Sequence, residues 1–146
     1  RKGWRDMELD KELIQLRIDI IERNLEEIKK IVDEGYEKFK GSFRDELASK
    51  HALLESIEAC IDITNHIIAT KGFRRPQDYK DVFVILEENK ILDKNLSEKL
   101  QEMAKFRNLL VHRYAETEKE KLFKIMKMDV DDIRDFIGRI LRYIAK

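Results

Sequence analysis

Apolar residues recur three and four positions apart over long stretches of the chain, which is the period of an amphipathic α-helix. The first stretch predicts a helix over residues 10–34, with Gly35 as its end. Its predicted core positions are Ile14, Ile18, Ile21, Leu25, Ile28 and Val32. This alternation of fours and threes is typical of helices that pack side by side in a bundle.

A second long helix is predicted from Ser42, which with Asp45 resembles an N-terminal cap, to about Thr70 before Gly72. Its expected core positions are Leu47, Leu54, Ile57, Ile61, Thr64 and Ile68, widened by Leu53, Cys60, Ile63 and Ile67. The opposite face carries a polar stripe, made of His51, Glu55, Glu58, Asp62, Asn65 and His66.

The second half of the chain follows a loop over residues 71–80 and is also predicted to be helical. A short helix is predicted over residues 81–88, and Asn95 with Glu98 resembles the cap of a third long helix. Residues 116–121 are polar and indicate a break, and residues 122–126 predict a further short helix. Asp129 with Asp132 is expected to cap the last helix, whose predicted core face is Val130, Ile133, Phe136, Ile137, Ile140, Leu141 and Ile144.

Four long helices with short connections predict an all-α fold, an up-and-down four-helix bundle with one or two extra short helices. No stretch shows the alternation of a half-buried strand. The 146 residues suit one domain, with residues 10–146 as the helical domain and residues 1–9 as a poorly ordered N-terminal extension. The wide apolar faces also leave room for a homodimer.

Composition narrows the function classes. The 30 basic and 30 acidic residues cancel, so any anion-binding site must be local rather than a property of the whole surface. The single cysteine, Cys60, cannot form an intrachain disulfide and is expected to be a small core residue. The chain has no apolar run of membrane-spanning length and no visible signal peptide, so a cytoplasmic protein without membrane contact is expected.

One charged residue interrupts the apolar stripe of the third long helix. The stripe is formed by Leu96, Leu100, Met103 and Leu110, and Arg107 occupies a position within it. A charge on a core-facing stripe is costly, so it should be paired, lie at an interface or hold a bound anion. His112 and Tyr114 follow within seven residues and add a proton-transfer group and a hydroxyl.

These residue types suit phosphate chemistry on RNA. Arg107 offers a planar fork of donors for a phosphate, and His112 exchanges protons near neutral pH. Because the RNA 2′-hydroxyl is a built-in nucleophile, an arginine and a histidine can supply most of the catalysis without a metal. Asn108, one turn before His112, is a candidate to orient the imidazole ring.

The geometry of a helix limits this hypothesis. Positions five residues apart on an ideal helix are separated by about 140° around its axis. Arg107 and His112 therefore do not face one point from a single straight helix. Either the helix ends or distorts before His112, or the site is assembled from two chains.

Glu58, Asp62 and His66 share one helix face and are supporting candidates. A solvated face with local pairing is the favoured interpretation, and the second is that this face lines a cleft beside the helix of Arg107. No zinc motif or glycine-rich phosphate loop is present, so neither a metal nor a cofactor is expected.

The spacing of Arg107, His112 and Tyr114, together with residues 56–68 and 76–83, resembles the HEPN superfamily, and specifically the HepT-like toxins of HEPN/MNT toxin–antitoxin pairs. The resemblance covers most of the chain from about Asp10 onward. Arg113 stands where many relatives carry an acidic residue, so the local charge differs.

The resemblance implies a dimeric helical bundle in which motif residues of both protomers surround a shared cleft. It implies a metal-independent endoribonuclease toxin of a type VII-like system, with Arg107 and His112 as the catalytic pair. It also implies a cognate minimal nucleotidyltransferase antitoxin that neutralises the toxin by transferring AMP to Tyr114.

Two other hypotheses remain open. One is a non-catalytic helical dimer that binds a nucleotide or a nucleotidyltransferase partner. The other is a purely structural bundle, which predicts that Arg107 pairs with a buried carboxylate and faces no cleft.

Overall fold

The computed structural model describes residues 8–111 and 119–146, and within them the regular secondary structure is entirely helical. Four long helices form the bundle, and three short ones accompany them. The helices are α1 (Lys11–Asp33), α2 (Tyr36–Lys40), α3 (Phe43–Lys71), α4 (Asp81–Glu88), α5 (Lys94–Val111), α6 (Lys119–Lys124) and α7 (Val130–Ile144). The predicted all-α four-helix bundle is confirmed. The short helix α2, which buries Phe39, was not predicted.

Ion pairs and hydrogen bonds between helices show the up-and-down arrangement. Residue numbers rise along one helix while those of its partners fall along the neighbour. For α1 and α3 these pairs are Arg17–Asp62 and Asn24–Glu55, and for α5 and α7 they are Lys99–Asp132 and Asp93–Arg139. Each pair of helices is therefore antiparallel.

The helix caps agree with the sequence in some places and correct it in others. Ser42 caps α3 as predicted, since its Oγ accepts a hydrogen bond of 3.1 Å from the Asp45 amide. The prediction of Asn95 as the cap of α5 is wrong. The helix begins at Lys94, and Asp93 Oδ1 accepts from the Leu96 amide at 2.8 Å. Both residues are good caps by type, so only the backbone decides between them.

The predicted cap of the last helix is also wrong. A π-helical segment, Ile125–Asp129, joins α6 to α7, so Asp129 already has helical backbone angles and its side chain makes no cap bond. The predicted core positions Val130, Ile133, Phe136, Ile137 and Ile140 of α7 are nevertheless buried. The predicted core residue Leu141 is 46% exposed.

The core face of α3 agrees with the prediction at seven of its ten positions and differs at three. Leu47 is 52% exposed, and Leu54 and Ile61 are only half-buried. Helix α3 packs against α1, α4, α5 and α7, so its buried face is wider than one heptad stripe. It is formed by Glu46, Ser49, Ala52, Leu53, Ser56, Ile57, Ala59, Cys60, Ile63, Thr64, Ile67, Ile68 and Thr70. In α1, similarly, Ile31 is buried rather than the predicted Val32.

Cys60 is 2% exposed, which confirms its assignment to the core, and this burial raises the pKa of its thiol. In the described part of the chain, no helix is both long enough and apolar enough to cross a membrane.

Candidate functional site

Arg107 lies where the apolar face of α5 reaches the edge of the bundle. Leu96, Leu100 and Met103 precede it on this face and are all at most 6% exposed. The Arg107 side chain is 29% exposed. Its stem therefore packs at the rim of the core while part of the side chain reaches solvent, as is usual for long charged side chains.

The principal partner of Arg107 is Glu58 on α3. Arg107 Nη2 donates to Glu58 Oε2 at 2.9 Å. The Glu58 side chain is 42% exposed. The structural-bundle hypothesis predicted a buried carboxylate at this position, and Glu58 is not buried. An ion pair at this exposure contributes little to stability, so stability alone does not account for the arginine.

The guanidinium group keeps donor capacity beyond this ion pair. Nη1 lies 3.4 Å from Asn108 Oδ1, a long contact for a hydrogen bond, and Nε is buried with no partner among the described residues. A guanidinium has five N–H donors and binds phosphate oxygens in a forked geometry. Arg107 therefore combines partial solvent access with N–H donors that the described residues do not fully use.

Asn108 connects this arginine to the loop between α3 and α4. Its Nδ2 donates to the hydroxyl oxygen of Tyr79 at 2.9 Å. The sequence indicated that Asn108 orients His112, whereas the described partner is a tyrosine 29 positions earlier in the chain. Tyr79 was not selected from the sequence. The only feature of the sequence that pointed to Tyr79 was its position within residues 76–83, one of the segments that resemble the family.

The three supporting candidates on α3 have separate partners. Glu58 contacts Arg107, whereas Asp62 Oδ2 lies 3.4 Å from Arg17 Nε on α1. His66 Nε2 accepts from the backbone amide of Asp10 at 2.9 Å and so helps to hold the start of α1. Among the described residues, no three histidine, cysteine or carboxylate side chains are grouped closely enough to hold a metal ion.

The other two motif residues, His112 and Tyr114, lie outside the described residues, since α5 is described up to Val111. The expected relation between Arg107 and His112 thus stays a prediction.

A separate groove of about 680 Å³ lies between α5 and the segment from α6 to α7. Met103, Phe106 and Leu109 line it from α5, and Ile125 and Met128 line it from the other side. Arg107 and Glu58 are not among its lining residues. The groove is therefore distinct from the polar cluster of Glu58, Tyr79, Arg107 and Asn108.

Comparison with known proteins defines the class of protein. The family model described as "Ribonuclease HepT-like" matches residues 21–140. The mRNA nuclease HepT of Shewanella oneidensis is 30% identical over 129 residues, which cover 88% of this chain and 96% of that protein. The tRNA nuclease HepT of Aphanizomenon flos-aquae is 24% identical over 132 residues, or 90% of each protein.

A solved structure agrees with the sequence comparisons. The tri-AMPylated Shewanella oneidensis HEPN toxin in complex with the MNT antitoxin superposes with a TM-score of 0.83 and 30% identity, over 89% of this chain and 97% of that one. The chain belongs to the HepT-like ribonuclease family, whose helical fold is shared with toxins of toxin–antitoxin complexes. The prediction of a HepT-like ribonuclease is thereby confirmed.

Proposed function

We propose that this protein is the toxin of a toxin–antitoxin pair and cleaves RNA without a metal ion, using Arg107 and His112. The observation that carries the proposal is the partly exposed Arg107 side chain, which Glu58 holds at 2.9 Å and whose N–H donors the described residues do not fully use. Family membership supplies the reaction class.

The proposed reaction is attack of the RNA 2′-oxygen on the neighbouring phosphorus. The 2′-hydroxyl loses its proton to His112, the O–P bond forms, and the bond to the 5′-oxygen breaks as that oxygen takes a proton from the protonated His112. The products are a 2′,3′-cyclic phosphate and a free 5′-hydroxyl. Arg107 stabilises the charge that builds up on the non-bridging oxygens, where a fixed donor has its greatest effect.

The four supporting residues differ in their contacts, and we assign them different roles. Glu58 and Asn108 contact Arg107 and are proposed to orient its guanidinium. Asp62 and His66 contact α1, and we assign them to the wall of the cleft rather than to the reaction.

The proposed partners are a second copy of the chain and a nucleotidyltransferase antitoxin. A homodimer would bring the motif residues of two protomers to one cleft, which answers the 140° separation expected between Arg107 and His112 on one helix. AMP transfer to Tyr114 would place an anionic, bulky group near Arg107 and block the cleft.

The proposal is tested by incubating purified wild type and His112→Ala with total RNA in excess EDTA. We expect cleavage by the wild type and a loss of at least about 100-fold in the variant, the usual contribution of an acid–base group. His51→Ala is the matched control, because His51 is exposed on α3 and only loosely near Glu55, at 3.9 Å.

Cleavage by His112→Ala at the wild-type rate would contradict the assignment. If neither protein cleaves RNA, and intact mass shows that the wild type carries no AMP, the non-catalytic binding module becomes the better explanation.

A further inference from the structure

The loop between α3 and α4 is tied to the cluster around Arg107 by one side chain. Tyr79 is partly buried against the core, and its hydroxyl oxygen accepts from Asn108 Nδ2 at 2.9 Å. Asn108 directly follows Arg107 on α5, and its Oδ1 lies 3.4 Å from Arg107 Nη1. One chain of contacts therefore runs from the loop hydroxyl through an amide to the guanidinium.

The chemistry of the Asn108 amide fixes how its side chain is oriented between Tyr79 and Arg107. The side chain of asparagine has one accepting oxygen and one donating nitrogen, and only one of its two orientations suits both neighbours. With Nδ2 toward Tyr79, the oxygen faces the guanidinium. In the opposite orientation Nδ2 would meet Arg107 Nη1, donor against donor. Because a tyrosine hydroxyl can either donate or accept, Arg107 selects this orientation, and the bond to Tyr79 holds the Asn108 amide in place beside the guanidinium.

The loop itself is held firmly enough to act as an anchor. Arg74 binds Asp81 through both of its terminal nitrogens, at 2.7 and 2.9 Å, and also binds Glu88 at 2.8 and 3.1 Å. Asp81 in turn accepts from the Gln77 backbone amide at 2.9 Å. These contacts fix the two ends of the segment that carries Tyr79 to α4.

We infer that Tyr79 is a positioning residue for RNA cleavage, which orients Asn108 and, through it, the phosphate-binding face of Arg107. This inference rests on the proposed function, because it assigns to Tyr79 a part in a reaction that Arg107 assists. It places the loop between α3 and α4 in the nuclease site, alongside α3 and α5.

The test is a double-mutant cycle on Tyr79→Phe and Asn108→Ala, with kcat, KM and melting temperature measured for each protein. The substrate is an RNA oligonucleotide that the wild type is first shown to cleave. Tyr79→Phe removes a single oxygen and keeps the ring in its packing. Tyr143→Phe is the matched control, since Tyr143 is a partly buried tyrosine on α7 with no bond to Asn108.

We expect Tyr79→Phe to lower kcat by roughly two- to tenfold, the size of one net hydrogen bond, with KM and melting temperature close to wild type. In the Asn108→Ala background, removing the hydroxyl should have no further effect, because its only partner in the chain of contacts is gone. Tyr143→Phe should cleave like the wild type.

A wild-type kcat in Tyr79→Phe would overturn the inference. So would an equal loss of kcat on Tyr79→Phe in the wild-type and Asn108→Ala backgrounds. If Tyr79→Phe loses kcat and its melting temperature also falls clearly below that of the wild type, the inference is overturned and Tyr79 is assigned to folding instead. Arg107→Ala is included to separate this inference from the proposed function. If that variant cleaves as well as the wild type, the proposed function is overturned and the inference falls with it.

Discussion

At the scale of single residues, the notable feature is an arginine that occupies a core-facing position without being buried. Leu100 and Met103 show which way this face of α5 points, and Arg107 continues it at the rim of the bundle. The sequence was sufficient to single out Arg107, because a charge in an apolar stripe requires a compensating interaction. It was not sufficient to identify Glu58 as the partner, since the two residues are 49 positions apart.

Exchange of Glu58 for glutamine tests what this carboxylate does. Glu58→Gln keeps the size of the side chain but removes the charge that holds Arg107 Nη2 at 2.9 Å. We expect several-fold slower RNA cleavage, because the guanidinium loses its fixed orientation. The free energy of unfolding, measured with urea, should change by less than about 1 kcal/mol, as for other exposed ion pairs.

Glu55→Gln is the control for that measurement, because Glu55 is also on the polar stripe of α3 but accepts from Asn24. If Glu58→Gln cleaved RNA faster than the wild type, Glu58 would be a competitor of the phosphate for Arg107 rather than its support.

At the scale of elements, the loop between α3 and α4 is fastened by one arginine. Arg74 contacts Asp81 at the start of α4 and Glu88 at its end. The hydrogen bonds from Arg74 are the main reason that the pKa of Asp81 lies below its ordinary value of 3.8. An acid with a lowered pKa in the folded state stabilises the fold above its ordinary pKa and loses that contribution as the pH falls through its folded value.

Arg74→Ala is therefore expected to be destabilised in a pH-dependent manner. At pH 7 its melting temperature should be lower than that of the wild type by about 2–4 °C. The difference should shrink as the pH falls below about 4, because the wild type then progressively loses the stabilisation that comes from the lowered pKa of Asp81. Thermal melting followed by circular dichroism at several pH values measures both effects.

Arg75→Ala provides the comparison, since Arg75 is the next residue of the same loop and its guanidinium has no ion pair within the described residues. A gap between Arg74→Ala and the wild type that stayed constant down to about pH 3 would show that Asp81 is not the source of the stabilisation.

The caps and short elements show where local sequence reasoning succeeds. Ser42 and Gly72 delimit α3 as predicted, because a side-chain cap and a left-handed glycine act within one turn of the helix end. The choice of Asp93 over Asn95 could not be made locally. Asp93 also pairs with Arg139 on α7 at 2.7 Å, a contact that exists only in the folded bundle.

At the scale of the whole molecule, the proposed regulation depends on a modification by another protein. In the proposed reaction the Tyr114 oxygen attacks the α-phosphorus of ATP, pyrophosphate leaves, and the hydroxyl proton is lost. Under this proposal the adduct would add negative charge and bulk near Arg107, the cation proposed to stabilise the phosphate.

Incubation with the cognate nucleotidyltransferase and ATP should therefore add AMP to the wild type and abolish RNA cleavage. Intact-mass spectrometry should show no adduct on Tyr114→Phe, which should stay active in the presence of the enzyme. Tyr143→Phe should be modified like the wild type. Modification of Tyr114→Phe to the wild-type extent would place the acceptor at another residue.

By itself, the sequence determined the helical class, the number of long helices, most helix ends and the unusual position of Arg107. All of these follow from periodicity and from interactions within a few residues of each other. The tertiary structure alone decided which face of α3 is buried and which residues surround the arginine. Leu47 is exposed although it fits the apolar stripe, because no helix among the described residues covers it. Glu58 and Tyr79 join Arg107 and Asn108 only through packing between α3, α5 and the loop, and such distant pairings leave no periodic signal in the chain.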